Sequence, residues 1–91
     1  MSFRKLRGVA LPEEKQGLLR YTCLTYQEQP RWVREKIDRL CRECGGEHAK
    51  ALHAVLCTRE SVTAIALRHH VSESVLYERR KAFYESWYKK R

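Results

Sequence analysis

A chain of 91 residues has room for one domain with one modest hydrophobic core, which argues against a multidomain enzyme with a deep pocket. Because 43% of its residues are hydrophobic and 33% are charged, the chain carries enough apolar material to fold and does not have the composition of a disordered protein. Nineteen Lys and Arg against eleven Asp and Glu give a formal net charge of +8, which indicates a polyanionic partner, with nucleic acid ahead of an acidic membrane surface.

The first segment, residues 1–12, is basic and is predicted to be a flexible leader. It lacks the apolar run of a signal peptide, and no stretch of the chain reaches the roughly 20 apolar residues of a membrane span. We therefore expect a cytoplasmic protein without a membrane partner, whose four cysteines stay reduced. Pro12 followed by Glu13 and Glu14 is typical of a first helical turn and predicts a helix from Glu13 to about Tyr26.

Two more helices are predicted in the middle of the chain. The first, from about Pro30 to Cys44, shows apolar residues at three- and four-residue steps: Val33, Ile37, Leu40, Cys41 and Cys44. Gly45-Gly46 should end it through a residue of positive φ. The second helix, from about Glu47 to Cys57, has an apolar stripe formed by Ala49, Leu52, Val55 and Leu56.

The last third of the chain predicts a helix, a tight turn and a second helix. The polar segment that ends at Ser61 can cap a short helix from Val62 to Arg68, and Ser72 can cap a final helix that runs to about Lys89. No segment has the alternation of a β-strand. The predicted fold is therefore all-α, a small bundle of about four to five helices, in which residues 13–91 form a single domain that ends in a helix-turn-helix at 61–88.

This helix-turn-helix is the main indication of function. In such a unit the second helix enters the major groove of DNA, so one face must pack on the first helix while the other stays polar. The packing face is supplied by Ile65, Ala66, Val71, Leu76 and Phe83. The candidate base-reading residues are Glu73, Ser74, Tyr77, Glu78 and Lys81. The candidate phosphate-binding residues are Arg68, Ser72, Arg79, Arg80, Lys89, Lys90 and Arg91.

The same stretch resembles region four of bacterial sigma factors and related phage regulators, whose pattern is roughly I-A-x-x-L-G-I-S-x-x-T-V. The matching residues are Ile65, Ala66, Val71, Ser72 and Leu76. The chain departs from the pattern at His69, His70, Val75 and Arg80, and it is too short for the other domains of a sigma factor. The resemblance therefore implies a stand-alone transcription regulator of phage or mobile-element type, which binds double-stranded DNA and has RNA polymerase as a candidate partner.

Other interpretations of the chain remain open. A helical interaction module, similar to the small subunit of a phage terminase, would bind a packaging protein or polymerase instead of reading DNA, and a homodimer is a further hypothesis. Cys41, Cys44, His53 and Cys57 are a candidate zinc set, although Cys41 and Cys44 also continue an apolar stripe. The aromatic tail Phe83, Tyr84, Trp87 and Tyr88 could stack on bases, but helical spacing favours core packing or a dimer surface. No carboxylate pair is arranged for catalysis, so no enzyme activity or cofactor is predicted.

Overall fold

A computed structural model describes residues 11–89 as a small all-α bundle, which confirms the predicted fold class. The helices are α1 (Glu13–Leu24), α2 (Arg31–Gly45), α3 (Ala49–Cys57), α4 (Val62–His69) and α5 (Glu73–Trp87). Short 3-10 turns follow α1 and α2, and no strand occurs in this part of the chain. None of these five helices is long and apolar enough to cross a membrane. The predicted leader lies, up to residue 10, outside the described residues.

The short helix α3 lies at the centre of the fold and contacts each of the other four helices. Its sequence allows this because Ala51, Leu52, Val55 and Leu56 are all buried, so that more than one face is apolar. The predicted stripe was correct for the last three, but Ala49 is only half-buried and Ala51 is enclosed in its place. Because α3 contacts all of the other helices, it joins the part of the core beside α1 and α2 to the part beside α4.

The buried side chains form two clusters, and both α3 and α5 contribute to each of them. The larger cluster contains Leu19, Cys23, Val33, Ile37, Leu40, Cys41, Leu52, Leu56, Phe83 and Tyr84. The smaller cluster contains Ala51, Val55, Ile65, Ala66 and Leu76, with Val71 packed against it. The first half of α5 is therefore held by α3 and α4, and its second half by α1 and α2.

The amphipathic pattern of α2 is confirmed, since Val33, Ile37, Leu40 and Cys41 are buried. The helix approaches α3 closely at Gly45, where an added Cβ would lie 3.3 Å from the side chain of Leu52. Gly46 then leaves the helix with a φ of 55°, as the Gly-Gly pair predicted.

The aromatic tail of the chain packs into the larger cluster. Phe83 and Tyr84 are buried, and Trp87 and Tyr88 pack against the same cluster. Tyr88 donates a hydrogen bond from its hydroxyl to the backbone oxygen of Lys15 at 2.9 Å. The core-packing interpretation of these four residues is thus confirmed, and their rings hold the end of α5 against α1 and α2.

His70 adopts the left-handed backbone conformation that ends α4, with φ 56° and ψ 45°. This conformation costs an L-residue about 1–2 kcal/mol, and it is more costly for a β-branched residue. Because the side chain is exposed, His70→Gly should raise the free energy of unfolding by about 0.5–1 kcal/mol, whereas His70→Val should lower it by about 1–2 kcal/mol. Urea unfolding followed by circular dichroism measures both; equal stabilities of the Gly and Val variants would contradict a left-handed residue here.

Candidate nucleic-acid interface

Three residues, His70, Val71 and Ser72, connect α4 to α5. The left-handed His70 reverses the chain, and the backbone N–H of Val71 donates to the oxygen of Ala66 at 3.0 Å. Ser72 Oγ accepts a hydrogen bond from Val75 N at 3.2 Å, so the predicted N-cap of α5 is confirmed. This closed connection sets the angle between the two helices.

Five exposed side chains form a stripe along α5, which we call the reading stripe: Glu73, Ser74, Tyr77, Glu78 and Lys81. These positions recur at steps of three or four residues and therefore lie on one side of the helix. Leu76, on the opposite side, is 0% exposed and packs in the smaller cluster. The stripe thus presents carboxylate, hydroxyl and ammonium groups to solvent on a helix whose other face is fixed by packing.

The candidate phosphate-binding residues of α4 and α5 differ in how freely they can move. Arg79 is exposed, and it lies three residues after Leu76, on the flank of α5 away from the stripe. Arg68 is held in a two-pronged ion pair with Glu60, its two terminal nitrogens lying 2.6 and 2.9 Å from the carboxylate oxygens. Arg80 is half-buried, with its guanidinium 5.1 Å from the centre of the Tyr77 ring. Burial lowers the pKa of the Arg80 guanidinium, yet an arginine keeps its charge at neutral pH.

Lys89 lies at the other end of α5 from Ser72. Because α5 has 15 residues, it is about 22 Å long at 1.5 Å per residue. Lys89 instead borders a groove of about 360 Å³ between α2 and α5, together with Lys36 and Arg39. The structure therefore divides the predicted phosphate contacts into two groups, and Lys90 and Arg91 lie outside the described residues.

Leu67 is a surface residue that the sequence interpretation did not single out. It is 73% exposed on α4 and lines a shallow groove of about 340 Å³ with Thr63, His70, Ser72 and Glu73. Its position was visible in the sequence, since Leu67 follows the buried Ile65 and Ala66 and is turned away from them by the helical period. An exposed leucine next to the reading stripe is suited to an apolar contact, such as that with a thymine methyl group.

Among the described residues the candidate zinc set is not arranged as a metal site. Within residues 11–89 no group of three or more His, Cys, Asp and Glu side chains is placed to hold a metal ion. His53 instead lies with its Nε2 3.2 Å from Asp38 Oδ1, and the Cys44 thiol donates to Ser86 Oγ at 3.7 Å. The four cysteine thiols are free.

Comparison of the chain with protein-family models, with curated proteins and with solved structures gives no match. The resemblance to region four of sigma factors therefore depends on Ile65, Ala66, Val71, Ser72 and Leu76 alone. The structure buries Ile65, Ala66 and Leu76, and it places Ser72 at a helix N-terminus. These positions suit a helix-turn-helix, and membership of the sigma family stays a prediction.

Proposed function

We propose that this protein is a sequence-specific double-stranded DNA-binding protein, which acts as a transcription regulator of phage or mobile-element type. The observation that carries the proposal is the reading stripe on α5, exposed on one side and anchored through Leu76 on the other. A helix that reads the major groove needs this separation of faces, together with a short preceding helix and a closed turn. In the proposed complex the reading stripe in the N-terminal half of α5 lies in the groove, and Arg79, on the other flank of the helix, reaches a phosphate at the edge of the groove.

Charge supports a role that combines attraction to DNA with selectivity. The net charge of +8 draws the protein to the duplex. Glu73 and Glu78 in the reading stripe oppose this attraction, because a carboxylate repels phosphates. A carboxylate can, however, accept a hydrogen bond from the amino group of cytosine. The two glutamates of the reading stripe therefore favour specific over non-specific binding of DNA.

The deciding experiment is a binding titration on random duplex fragments over a series of salt concentrations, with sequencing of the retained DNA. We expect affinity to fall steeply as salt rises and one sequence motif to be enriched. Salt-dependent binding with no enriched motif would reject sequence-specific reading. Absence of binding even at low salt would reject DNA binding altogether.

Replacing Ser74 and Tyr77 together by alanine should reduce the preference for the enriched motif by about 30-fold or more, because two base contacts are lost and each is worth about 1–3 kcal/mol of discrimination. Binding to unrelated duplexes should change little. Competition titrations with the selected and a scrambled duplex measure the ratio. Tyr21→Ala, which removes an exposed tyrosine from α1, is the matched control and should keep the wild-type ratio.

Arg79→Ala provides the contrasting variant. It should weaken binding to both duplexes equally and reduce the slope of log affinity against log salt by about 1, as expected for one lost phosphate contact. Arg31→Ala removes an exposed arginine of α2 and is the charge-matched control.

If the double variant at Ser74 and Tyr77 keeps full discrimination between the two duplexes, α5 does not read bases.

A second candidate function is the binding of a protein partner such as RNA polymerase. It is favoured by large apolar side chains that are exposed outside α4 and α5, namely Leu18 and Tyr21 on α1 and Trp32 on α2. Leu18 and Tyr21 are three residues apart and share one face of their helix. A protein that failed the DNA titration would have to act through this kind of surface.

A further inference from the structure

A cluster of polar and sulfur-bearing groups, unrelated to the reading stripe, surrounds the C-terminal end of α3. The Tyr26 hydroxyl donates to the Asp38 carboxylate, with both oxygens at 2.9 Å. His53 Nε2 lies 3.2 Å from Asp38 Oδ1 and 3.9 Å from Cys57 Sγ. The Tyr26 and His53 rings meet edge to face, with their centroids 5.0 Å apart. The His53 ring is therefore fixed from two sides and faces the Cys57 sulfur.

A second thiol approaches Cys57 from α1. Cys23 is fully buried, and Cys57, which is itself only half-buried, packs against the core cluster that contains Cys23. Cys41 of α2 belongs to the same core cluster as Cys23. Cys57 is thus a half-buried cysteine whose sulfur lies beside the His53 ring and which packs against buried thiols of α1 and α2.

The arrangement differs from the catalytic triad of a cysteine hydrolase. In a triad the imidazole contacts the nucleophile through one ring nitrogen and the carboxylate through the other. Here Asp38 and Cys57 both lie nearest to Nε2 of His53. The ring can stabilise a thiolate as a cation, but it cannot pass a proton along a line from sulfur to carboxylate.

The electrostatics of the cluster agree with its geometry. The pKa of Cys57 is lowered to about 6, first because the Cys23 thiol donates a hydrogen bond to its thiolate and second because His53 does. The same bond raises the pKa of Cys23, and burial adds to that effect. The pKa of His53 is raised, chiefly by its hydrogen bond with Cys57. Burial raises the pKa of Cys41 to about 12, so the negative charge resides on Cys57.

We propose that Cys57 is a hydroperoxide-reactive thiol, held beside His53 and resolved by Cys23 to give an intramolecular disulfide. The titratable groups that interact with Cys57 are Cys23 from α1, Tyr26 from the following turn, Asp38 and Cys41 from α2, and His53 from α3. The oxidant is hydrogen peroxide or an organic hydroperoxide.

Disulfide formation takes two steps. The Cys57 thiolate attacks the terminal peroxide oxygen, a sulfur–oxygen bond forms, and the oxygen–oxygen bond breaks; the leaving hydroxide or alkoxide takes a proton and departs as water or an alcohol. The sulfur is oxidised by two electrons and the peroxide is reduced. The Cys23 sulfur, after giving up its proton, then attacks the sulfenic sulfur of Cys57; the disulfide bond forms, the sulfur–oxygen bond breaks, and the leaving hydroxide takes a proton and departs as water.

The chemistry of the first step favours the second. While Cys57 is a thiolate it holds the Cys23 proton in a hydrogen bond. Once Cys57 carries the oxygen, that negative charge is gone, so Cys23 loses the first of the effects that raise its pKa and gives up its proton more readily. The product ties the end of α1 to the end of α3, directly before the segment that leads into α4.

The test treats the full-length protein with hydrogen peroxide at neutral pH and follows the products by peptide mass spectrometry. We expect a disulfide between Cys23 and Cys57 in the wild type. Cys23→Ser should instead accumulate a Cys57 sulfenic acid, captured by a cyclic 1,3-diketone. Cys44→Ser is the matched control, since Cys44 is also half-buried but donates its thiol hydrogen to Ser86 instead of lying beside a histidine, and this variant should react as the wild type does.

A kinetic measurement isolates the role of His53. Alkylation of Cys57 by iodoacetamide should rise with pH through a midpoint near 6 in the wild type, following the pKa of the thiol. His53→Gln should move the midpoint upward and slow alkylation at neutral pH by about tenfold. Equal peroxide reactivity of Cys44 and Cys57, or a wild-type midpoint near that of an ordinary thiol, would overturn the proposal; the second outcome needs no variant to fold.

Discussion

Replacing Leu76 by alanine is expected to lower the free energy of unfolding by about 3–4 kcal/mol, within the range of buried Leu→Ala changes. The Leu76 side chain is 0% exposed and packs with Ile65 and Ala66 of α4 and with Val55 of α3. The loss has two parts, the transfer of the missing methyl groups and the cavity that the short helices around it cannot close completely. Urea unfolding followed by circular dichroism gives the difference.

Leu67→Ala is the matched control for this change, because Leu67 is 73% exposed on the neighbouring helix. The same atoms are removed without a cavity, so the free energy of unfolding should change by less than about 0.5 kcal/mol. If both variants lost stability equally, the assignment of the buried and exposed faces at the α4–α5 junction would be wrong. The comparison of Leu76→Ala with Leu67→Ala therefore tests which sides of α4 and α5 face the core, and so whether the reading stripe faces solvent.

Local patterns were sufficient to predict much of this fold. The three- and four-residue spacing in α2 identified Val33, Ile37 and Leu40 as core residues, and all three are buried. Ser72 was recognisable as an N-cap because its hydroxyl acts within three residues. Such features depend on hydrogen bonds and packing between residues that are a few positions apart. The residue types at those positions can be read directly from a single sequence. The exposed side of α5 follows from the same periodicity.

Contacts between distant residues could not be predicted in this way. Asp38 and His53 are 15 residues apart, and only the packing of α2 on α3 brings them together. The sequence grouped Cys57 and His53 as possible zinc ligands, since they are four residues apart on one helix, but gave no indication that Asp38 would approach the same ring. Likewise Lys89 was grouped with the phosphate contacts of α5, whereas the fold places it beside Lys36 and Arg39 of α2.

The clearest long-range contact of this kind is made by Arg20, which caps the C-terminal end of α3 from α1. Its guanidinium donates hydrogen bonds to the backbone oxygens of Val55, Leu56 and Thr58 at 2.8, 3.0 and 3.1 Å. The last carbonyls of a helix have no partner within it, and a cation there also interacts favourably with the helix dipole. A planar group with several donors is suited to hold three carbonyls at once.

Arg20→Met should therefore lower the free energy of unfolding by about 2–4 kcal/mol, since it keeps the aliphatic stem but removes charge-assisted hydrogen bonds from partly buried carbonyls. Arg20→Lys keeps the charge but not the fork of donors, so its loss should be intermediate. Relief of the repulsion between Arg20 and Arg80 opposes part of this loss, because the Met variant carries one positive charge fewer. Urea unfolding of both variants measures these differences.

Arg59→Met is the control for the Arg20 variants, because Arg59 is exposed in the connection between α3 and α4 and the same atoms are exchanged there without a cap being lost. Its free energy of unfolding should stay within about 0.5 kcal/mol of the wild type. Should Arg20→Met prove as stable as Arg59→Met, the end of α3 would be held by packing alone. A loss confined to Arg20 would instead show that one side chain of α1 fixes the point from which the chain enters α4, and so the position of the helix pair that carries the reading stripe.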